Sequence, residues 1–166
     1  MNNTSFRPIL FLTVVFTSLF CKLFIADILY VSGNSMSPVL SNGSFVIINR
    51  LAYGITVPAT NTYLVRWGEP AVNDIIVYPL DGRIVVKRCI ATAGTKLDLI
   101  ENSGYSVRAG ERDVPLSETQ FRRMVHTQNV PPGTVFTLGD NNKESRDSRD
   151  YGFVSLDSIR GKVVWK

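Results

Sequence analysis

Apolar and polar positions divide the chain into two regimes. From Pro8 to Cys21 the sequence is uncharged and mostly apolar; Lys22 interrupts, and Leu23 to Val31 resumes the apolar character with only Asp27 charged. The first run alone falls short of the roughly 20 residues that a helical bilayer span needs. With Lys22 reaching out to the headgroups, the pattern predicts a span over residues 8 to 26 and an interfacial segment leading onward. No small-x-small cleavage site follows, and Phe20 before Cys21 does not suit a lipoprotein site, so the segment reads as a retained anchor. Arg7 sets the N-terminus on the cytoplasmic side and the remainder outside.

Beyond Leu40 the pattern changes to short β-rich runs between turn signals. Asn42-Gly43 precedes a strand over 44–50, and Tyr53 to Trp67, with Gly54 and Pro58, reads as an irregular loop. Residues 74–78 and 83–90 flank Leu80-Asp81-Gly82 and predict a hairpin. Short strands follow at 96–100, 105–107 and 113–116, joined by turns at Asn102-Ser103-Gly104 and Ala109-Gly110. Ser117 and Gln120 have capping-box spacing, which predicts a helical turn or two up to Val125. A strand over 134–138 delivers Gly139-Asp140; a short helix near 156–159 and a strand over 162–165 close the chain. The expected fold is mostly β: an antiparallel sheet domain over 31–166 on a single N-terminal transmembrane helix, with 1–7 cytoplasmic and 8–30 the anchor and interface segment.

Composition narrows the function classes. A net charge of +4 over 166 residues, with no basic run, zinc-ligand cluster or aromatic-basic interleaving, sets nucleic acid aside. Cys21 and Cys89 fall in the anchor and in a strand, and read as separate buried thiols rather than a disulfide. His126, the one histidine, lies in a polar stretch and reads as a surface residue, which argues against a Ser-His-Asp triad or a histidine-based metal site.

The remaining chemistry centres on Ser35 and Lys87. A serine hydroxyl holds its proton at neutral pH and needs a neighbouring base to become a nucleophile. A lysine amine serves only when neutral, and burial among apolar groups favours that form. Strand alternation puts Lys87 on one face with Val85, and Val86 with Arg88 on the other, so Lys87 can occupy an apolar face. Arg88 cannot act as a base, because a guanidinium does not deprotonate in proteins.

Ser35-Met36-Ser37-Pro38, Val86-Lys87-Arg88 and Gly139-Asp140-Asn141, in this order, resemble the type I signal peptidases of bacteria, the Ser/Lys-dyad leader peptidases. Self-cleaving repressors share the first two stretches but carry a DNA-binding helix pair where this chain has an apolar anchor. The late stretch, from Gly139 through Ser145-Arg146-Asp147-Ser148-Arg149 to Tyr151-Gly152, is similar to the peptidases' own. The resemblance implies Ser35 as nucleophile and Lys87 as base, with Ser145 hydrogen-bonded to the lysine. It implies that Asp147 and Arg149 pair beneath the site, with Asp140 nearby. Val31 and Val86 take the places of pocket walls that favour small side chains before the cut, and the substrate binds extended, by strand addition. No metal or cofactor is implied.

The implied activity is removal of N-terminal signal peptides from exported precursors, at the bacterial inner membrane, single-pass, with the catalytic domain on the extracytoplasmic face and an apolar surface on the lipid bilayer. Gly33 stands where some members have a serine completing the oxyanion hole, leaving the Ser35 amide and a second donor unnamed, with Ser32 a neighbour by proximity only. Ser44, Val85, Ala93, Thr95 and Asn142 also depart from the pattern, and the region from Lys96 to Pro131 is small. These departures favour a dedicated peptidase for one precursor, such as a pilin of a conjugation or secretion machinery, as the alternative. A non-catalytic membrane scaffold that binds exported peptides is the alternative from another class.

Overall fold

The computed structural model describes residues 6–57, 60, 62–102 and 104–166. Most of the expected cytoplasmic N-terminus, Pro58 of the expected loop, Ser103 of the expected turn and the side chain of Cys21 lie outside what is described. Helix α1 (Phe6–Phe20) carries Pro8 in its first turn, where a missing N–H costs nothing. A π turn, Cys21–Ile25, continues it and holds Lys22. Among the described residues no helix is long and apolar enough to cross a membrane.

The domain is antiparallel β. Its largest sheet has seven strands in the order β1 (Ala26–Tyr30), β2 (Phe45–Asn49), β12 (Gly161–Trp165), β5 (Ile75–Leu80), β6 (Arg83–Thr92), β10 (Thr134–Leu138), β11 (Val154–Ser155). A second sheet pairs β3 (Gly54–Thr56) with β4 (Tyr63–Arg66). A third joins β7 (Leu97–Glu101), β8 (Tyr105–Ala109) and β9 (Arg112–Leu116). Helix α2 (Glu118–Met124) begins with the expected capping box, Ser117 and Gln120 each bonding the other's backbone N–H. The β5–β6 turn at Asp81-Gly82 has positive φ at both residues, 49° and 75°, as a two-residue hairpin requires.

Two segments differ from the sequence reading. Residues 26–30, within the expected interfacial segment, form the edge strand β1, in register with β2 from Ala26↔Asn49 to Tyr30↔Phe45. Ile28 and Tyr30 stay exposed on its outer face, and with Asp27 its single charge the strand merges with the anchor when read locally. Residues 53–67 are not an irregular loop but contain the β3–β4 hairpin. Gly54 there marks close backbone approach: a Cβ would collide with the Val65 carbonyl oxygen and the Tyr63 ring.

Three apolar clusters fill the domain. One, Val31, Met36, Leu40 and Val46, packs beneath the Ser35 loop. A second, around Ile76, Tyr78, Cys89 and Ile159, lies on the Lys87 face of the sheet, and the third joins β6 and β10 to the three-stranded sheet and α2. Cys89 is a free, buried thiol whose pKa burial pushes up to about 12, and His126 is exposed.

Candidate active site

The Ser35 loop is fixed by its neighbours on both sides. Met36 and Leu40 are buried in the cluster beneath it, and Leu40 N–H donates to the Met36 carbonyl at 2.8 Å. Upstream, Val31 N–H donates to the Ser44 carbonyl at 2.8 Å and Gly33 N–H to Asn42 Oδ1 at 3.0 Å. Gly33 has φ +103° with open space where a Cβ would stand, so conformation rather than crowding demands glycine there. Downstream in sequence but adjacent in space, Asn141 N–H donates to the Ser35 carbonyl at 3.0 Å.

Lys87 sits mid-way along β6, hydrogen-bonded strands on both sides, and is 4% exposed. Its cross-strand neighbour on β5 is Ile76. On β10 the last paired residue, Leu138, stands opposite Arg88, so Gly139 falls opposite Lys87. Nζ of Lys87 donates to Ser35 Oγ at 2.7 Å. Burial holds its pKa below the ordinary lysine value; Asp147 and Asp140 oppose the shift and Arg149 adds to it. Val85 packs with the cluster on the Lys87 face, whereas Val86 packs with the one beneath Ser35, as alternation requires.

The segment from Gly139 to Arg149 folds under this pair. Arg149 Nε and Nη2 donate to the two Asp147 carboxylate oxygens at 2.8 and 2.9 Å; the residues are 5% and 0% exposed. Asp147 further accepts Gly139 N–H at 3.0 Å, and Arg149 also donates to the Asn142 carbonyl at 3.0 Å. The acid and the arginine thus pin both ends of the turn. Helix α3 (Ser148–Tyr151) begins on Asp147 as N-cap. Asp140 is held by Arg88 through two bonds of 2.7 Å. The sequence reading gave Arg88 no partner; its place next to Lys87 and opposite the end of β10 is the signal that pairs it.

Ser145 differs from what the resemblance implied. Its Oγ is buried with no hydrogen-bond partner among the described residues, and Lys87 donates to Ser35. The Ser145 side chain fills the space that Gly139 leaves empty: a Cβ on Gly139 would collide with Ser145 Oγ and the Ser35 carbonyl oxygen.

Val31 and Val86 both line a cavity of about 160 Å³ at Ser35, with Tyr30, Gly33, Ile84 and Lys87 also on its wall. One set of polar residues escaped the sequence reading altogether. Tyr78, Thr137, Ser148 and Tyr151 form a hydroxyl cluster on the Lys87 face of the sheet, with links of 2.6 to 3.1 Å. Local patterning gives no sign of it, because its members come from β5, β10 and α3.

The arrangement brings a hydroxyl and a desolvated amine into contact in a small apolar-walled cavity, above a buried ion pair. The model of the family described as "Signal peptidase, peptidase S26" matches residues 4–166. Among curated proteins, signal peptidase I of Bacillus caldolyticus is 31% identical, the match covering 87% of this chain and 81% of that protein. A probable signal peptidase I-1 of Synechocystis sp. is 28% identical over 96% of this chain and 79% of its own length. Signal peptidase I of Pseudomonas fluorescens is 27% identical over 97% and 70%. A crystal structure of a signal peptidase I from Enterococcus faecalis V583 aligns with 58% of this chain and 98% of its own at 29% identity and a TM-score of 0.40. The chain belongs to the signal peptidase S26 family, peptidases that act on signal-peptide-bearing precursors.

Proposed function

We infer that this signal peptidase works by a Ser35/Lys87 dyad, and the observation that carries the reading is the 2.7 Å contact between Lys87 Nζ and Ser35 Oγ at a buried lysine. With the amine neutral, the same contact lets Oγ–H pass its proton to the Nζ lone pair as Oγ attacks the carbonyl carbon after a small residue. The Ser35 backbone N–H faces the developing oxyanion. Lys87 then gives its proton to the leaving amine, so the scissile C–N bond breaks and an ester on Ser35 remains. Water, losing a proton to the again neutral Lys87, attacks the ester carbonyl carbon, and as the bond to Ser35 Oγ breaks Lys87 returns that proton to Oγ, freeing Ser35 and the carboxylic acid product. Asp147, Arg149, Asp140 and Ser145 support the pair from below. Val31 and Val86 wall the pocket for the residues before the cut, and the size of the cavity suits small side chains.

The N-terminal segment is read as a membrane anchor over residues 8 to 26, with the peptidase domain on the extracytoplasmic face of the bacterial inner membrane. Supporting this, α1 carries no charge from Pro8 to Phe20 and exposes Leu10, Phe11, Val14, Val15, Phe16 and Leu19, which lipid rather than water would favour. The apolar surface continues onto Ile28, Tyr30 and Phe45 of the sheet edge, where the two rings lie 5.4 Å apart. Resistance of the full chain to alkaline extraction from membranes is the expected result; release into the soluble fraction would refute the anchor.

A narrower substrate range, one precursor of a secretion or conjugation machinery, is favoured by one observation. Gly33 stands where some members of the family place a serine, and Ser44, Val85, Ala93, Thr95 and Asn142 also depart from the family pattern. A panel of unrelated precursors separates the two ranges. The dyad is tested by purified protein on a precursor with an Ala-x-Ala site. Wild type should cut after the second small residue, and folded Ser35→Ala and Lys87→Ala should both be inert. Cleavage surviving either substitution would overturn the dyad, and a folded wild type that binds precursors without turnover would favour the scaffold.

A further inference from the structure

Four hydroxyls on the Lys87 face of the sheet take no part in the chemistry above. Tyr78 is 1% exposed, and its OH lies 2.8 Å from Thr137 Oγ1 and 2.6 Å from Tyr151 OH. Thr137 Oγ1 lies 3.1 Å from Ser148 Oγ, which also accepts Thr137 N–H at 2.9 Å. The registers set this chain of hydroxyls beside the lysine. On β5, Ile76 stands across from Lys87 and Tyr78 is the next residue on the same face; on β10, Thr137 stands across from Cys89, the next residue on the Lys87 face of β6.

Apolar side chains of similar size would fill these positions without burying polar groups, so a packing role alone does not account for four hydroxyls bonded in sequence. Their bonds tie together three elements, β5, β10 and α3. Ser148 and Tyr151 are the first and last residues of α3, and Asp147 is its N-cap. The Asp147 carboxylate favours the protonated form of both Lys87 and Tyr78. The relay is therefore attached at the root of the turn that carries Asp140, Ser145 and Asp147.

We propose that Tyr78 is a positioning residue of the proton-transfer site: through Thr137 and Tyr151 it clamps α3 and the 139–147 turn against β5 and β10, the strands on either side of β6, closing the space around the Lys87 amine to water. This rests on the reading of Lys87 as the base. The charged groups that act on Lys87 are Asp140 and Asp147 of the turn and Arg149 of α3; Tyr78 of β5 and Cys89 of its own strand share its face of the sheet, Tyr151 of α3 bonds Tyr78, and Arg88 is paired with Asp140. Burial is the largest influence on the lysine. Loosening the clamp admits water, eases that burial and lets the ammonium persist to higher pH.

The test is the pH dependence of kcat/KM for the full-length enzyme on a precursor with an Ala-x-Ala site, with thermal midpoints measured alongside. Tyr78→Phe keeps the ring and removes the hydroxyl; Thr137→Val breaks the relay from the other strand, and Thr137→Ser keeps it. In Tyr78→Phe and Thr137→Val the limb on which activity rises with pH should move upward by about half a pH unit or more, about threefold in rate at a fixed pH on the limb. Thr137→Ser should bring it back toward wild type. An unmoved limb in Tyr78→Phe, with any loss of rate tracking the thermal midpoint, would overturn the positioning role and reduce the relay to packing. Lys87→Ala in the same assay separates the two levels: if it is inert while Tyr78→Phe leaves the limb in place, only the positioning role falls. Retained cleavage by Lys87→Ala would remove the base assignment and the proposal with it.

Discussion

Gly139→Ala perturbs the site without touching either reacting group. A Cβ there would meet Ser145 Oγ, Ser145 Cβ and the Ser35 carbonyl oxygen, all closer than a real carbon tolerates. None of these can yield freely. The Ser35 carbonyl is held by Asn141 N–H at 3.0 Å, and the Ser145 carbonyl receives Arg149 Nη2 at 3.4 Å within the buried ion-pair turn. Overpacking of this kind costs about 1–3 kcal/mol, which for a domain of this size lowers the thermal midpoint by roughly 2–10 °C. The effect on catalysis is larger, because the displaced carbonyl belongs to Ser35, the proposed nucleophile. Moving Ser35 by about 1 Å from its 2.7 Å contact with Lys87 should cost on the order of 100-fold in kcat. Gly104→Ala is the control, since Gly104 has open space around it and no left-handed backbone. Circular dichroism melting and single-precursor cleavage at saturating substrate read both quantities. A Gly139→Ala protein with wild-type midpoint and kcat within about threefold of wild type would refute the tight coupling of the turn to Ser35.

Other substitutions follow from the same geometry. Lys87→Met should abolish cleavage yet raise stability. The buried amine binds its proton less readily than the unfolded lysine does, so wild-type stability rises with pH between the lowered folded value and the ordinary lysine range. The Met variant should lack that slope, as urea unfolding across this window will show. Asp147→Asn leaves Arg149 buried and unpaired, and should destabilise by about 3–5 kcal/mol with loss of activity; a smaller change in chemical denaturation would contradict the pinning role. Asp74 accepts from Lys162 at 2.6 Å and Tyr53 at 2.8 Å, and although burial works against its charge these partners lower its pKa. Its contribution is present above the ordinary carboxylate range and is lost as pH falls through the lowered folded value. Asp74→Asn should flatten the acid limb of the stability curve; an unchanged slope would show that the carboxylate adds nothing.

How much of this was legible in the sequence depended on how local its cause is. The β5–β6 hairpin and the capping box at Ser117 rest on a few adjacent residues, and both appear where the pattern put them. Strand β1 was hidden because its partner lies across the Ser35 loop and its outward side chains are as apolar as the anchor before it. The β3–β4 hairpin was masked by Gly54, which looked like a loop signal but serves close strand approach. Within the site, the nearness of Ser35 to Lys87 and the pairing of Asp147 with Arg149 are contacts that the resemblance implied. The Arg88–Asp140 pair and the Tyr78 relay were not, since each depends on strand register that no short stretch specifies.

The central claim is that a neutral lysine at position 87 is the base for Ser35, and the most direct measurement is the titration of its amine. Carbon-13 labelling at lysine Cε, with the Lys87 resonance assigned by its absence in Lys87→Met, follows that amine in the intact enzyme. The Lys87 amine should titrate with a midpoint below the ordinary lysine value and coincident with the rising limb of kcat/KM on an Ala-x-Ala precursor. A Lys87 that titrates at the ordinary lysine value, or a limb that stays in place when Lys87 is removed, would contradict it.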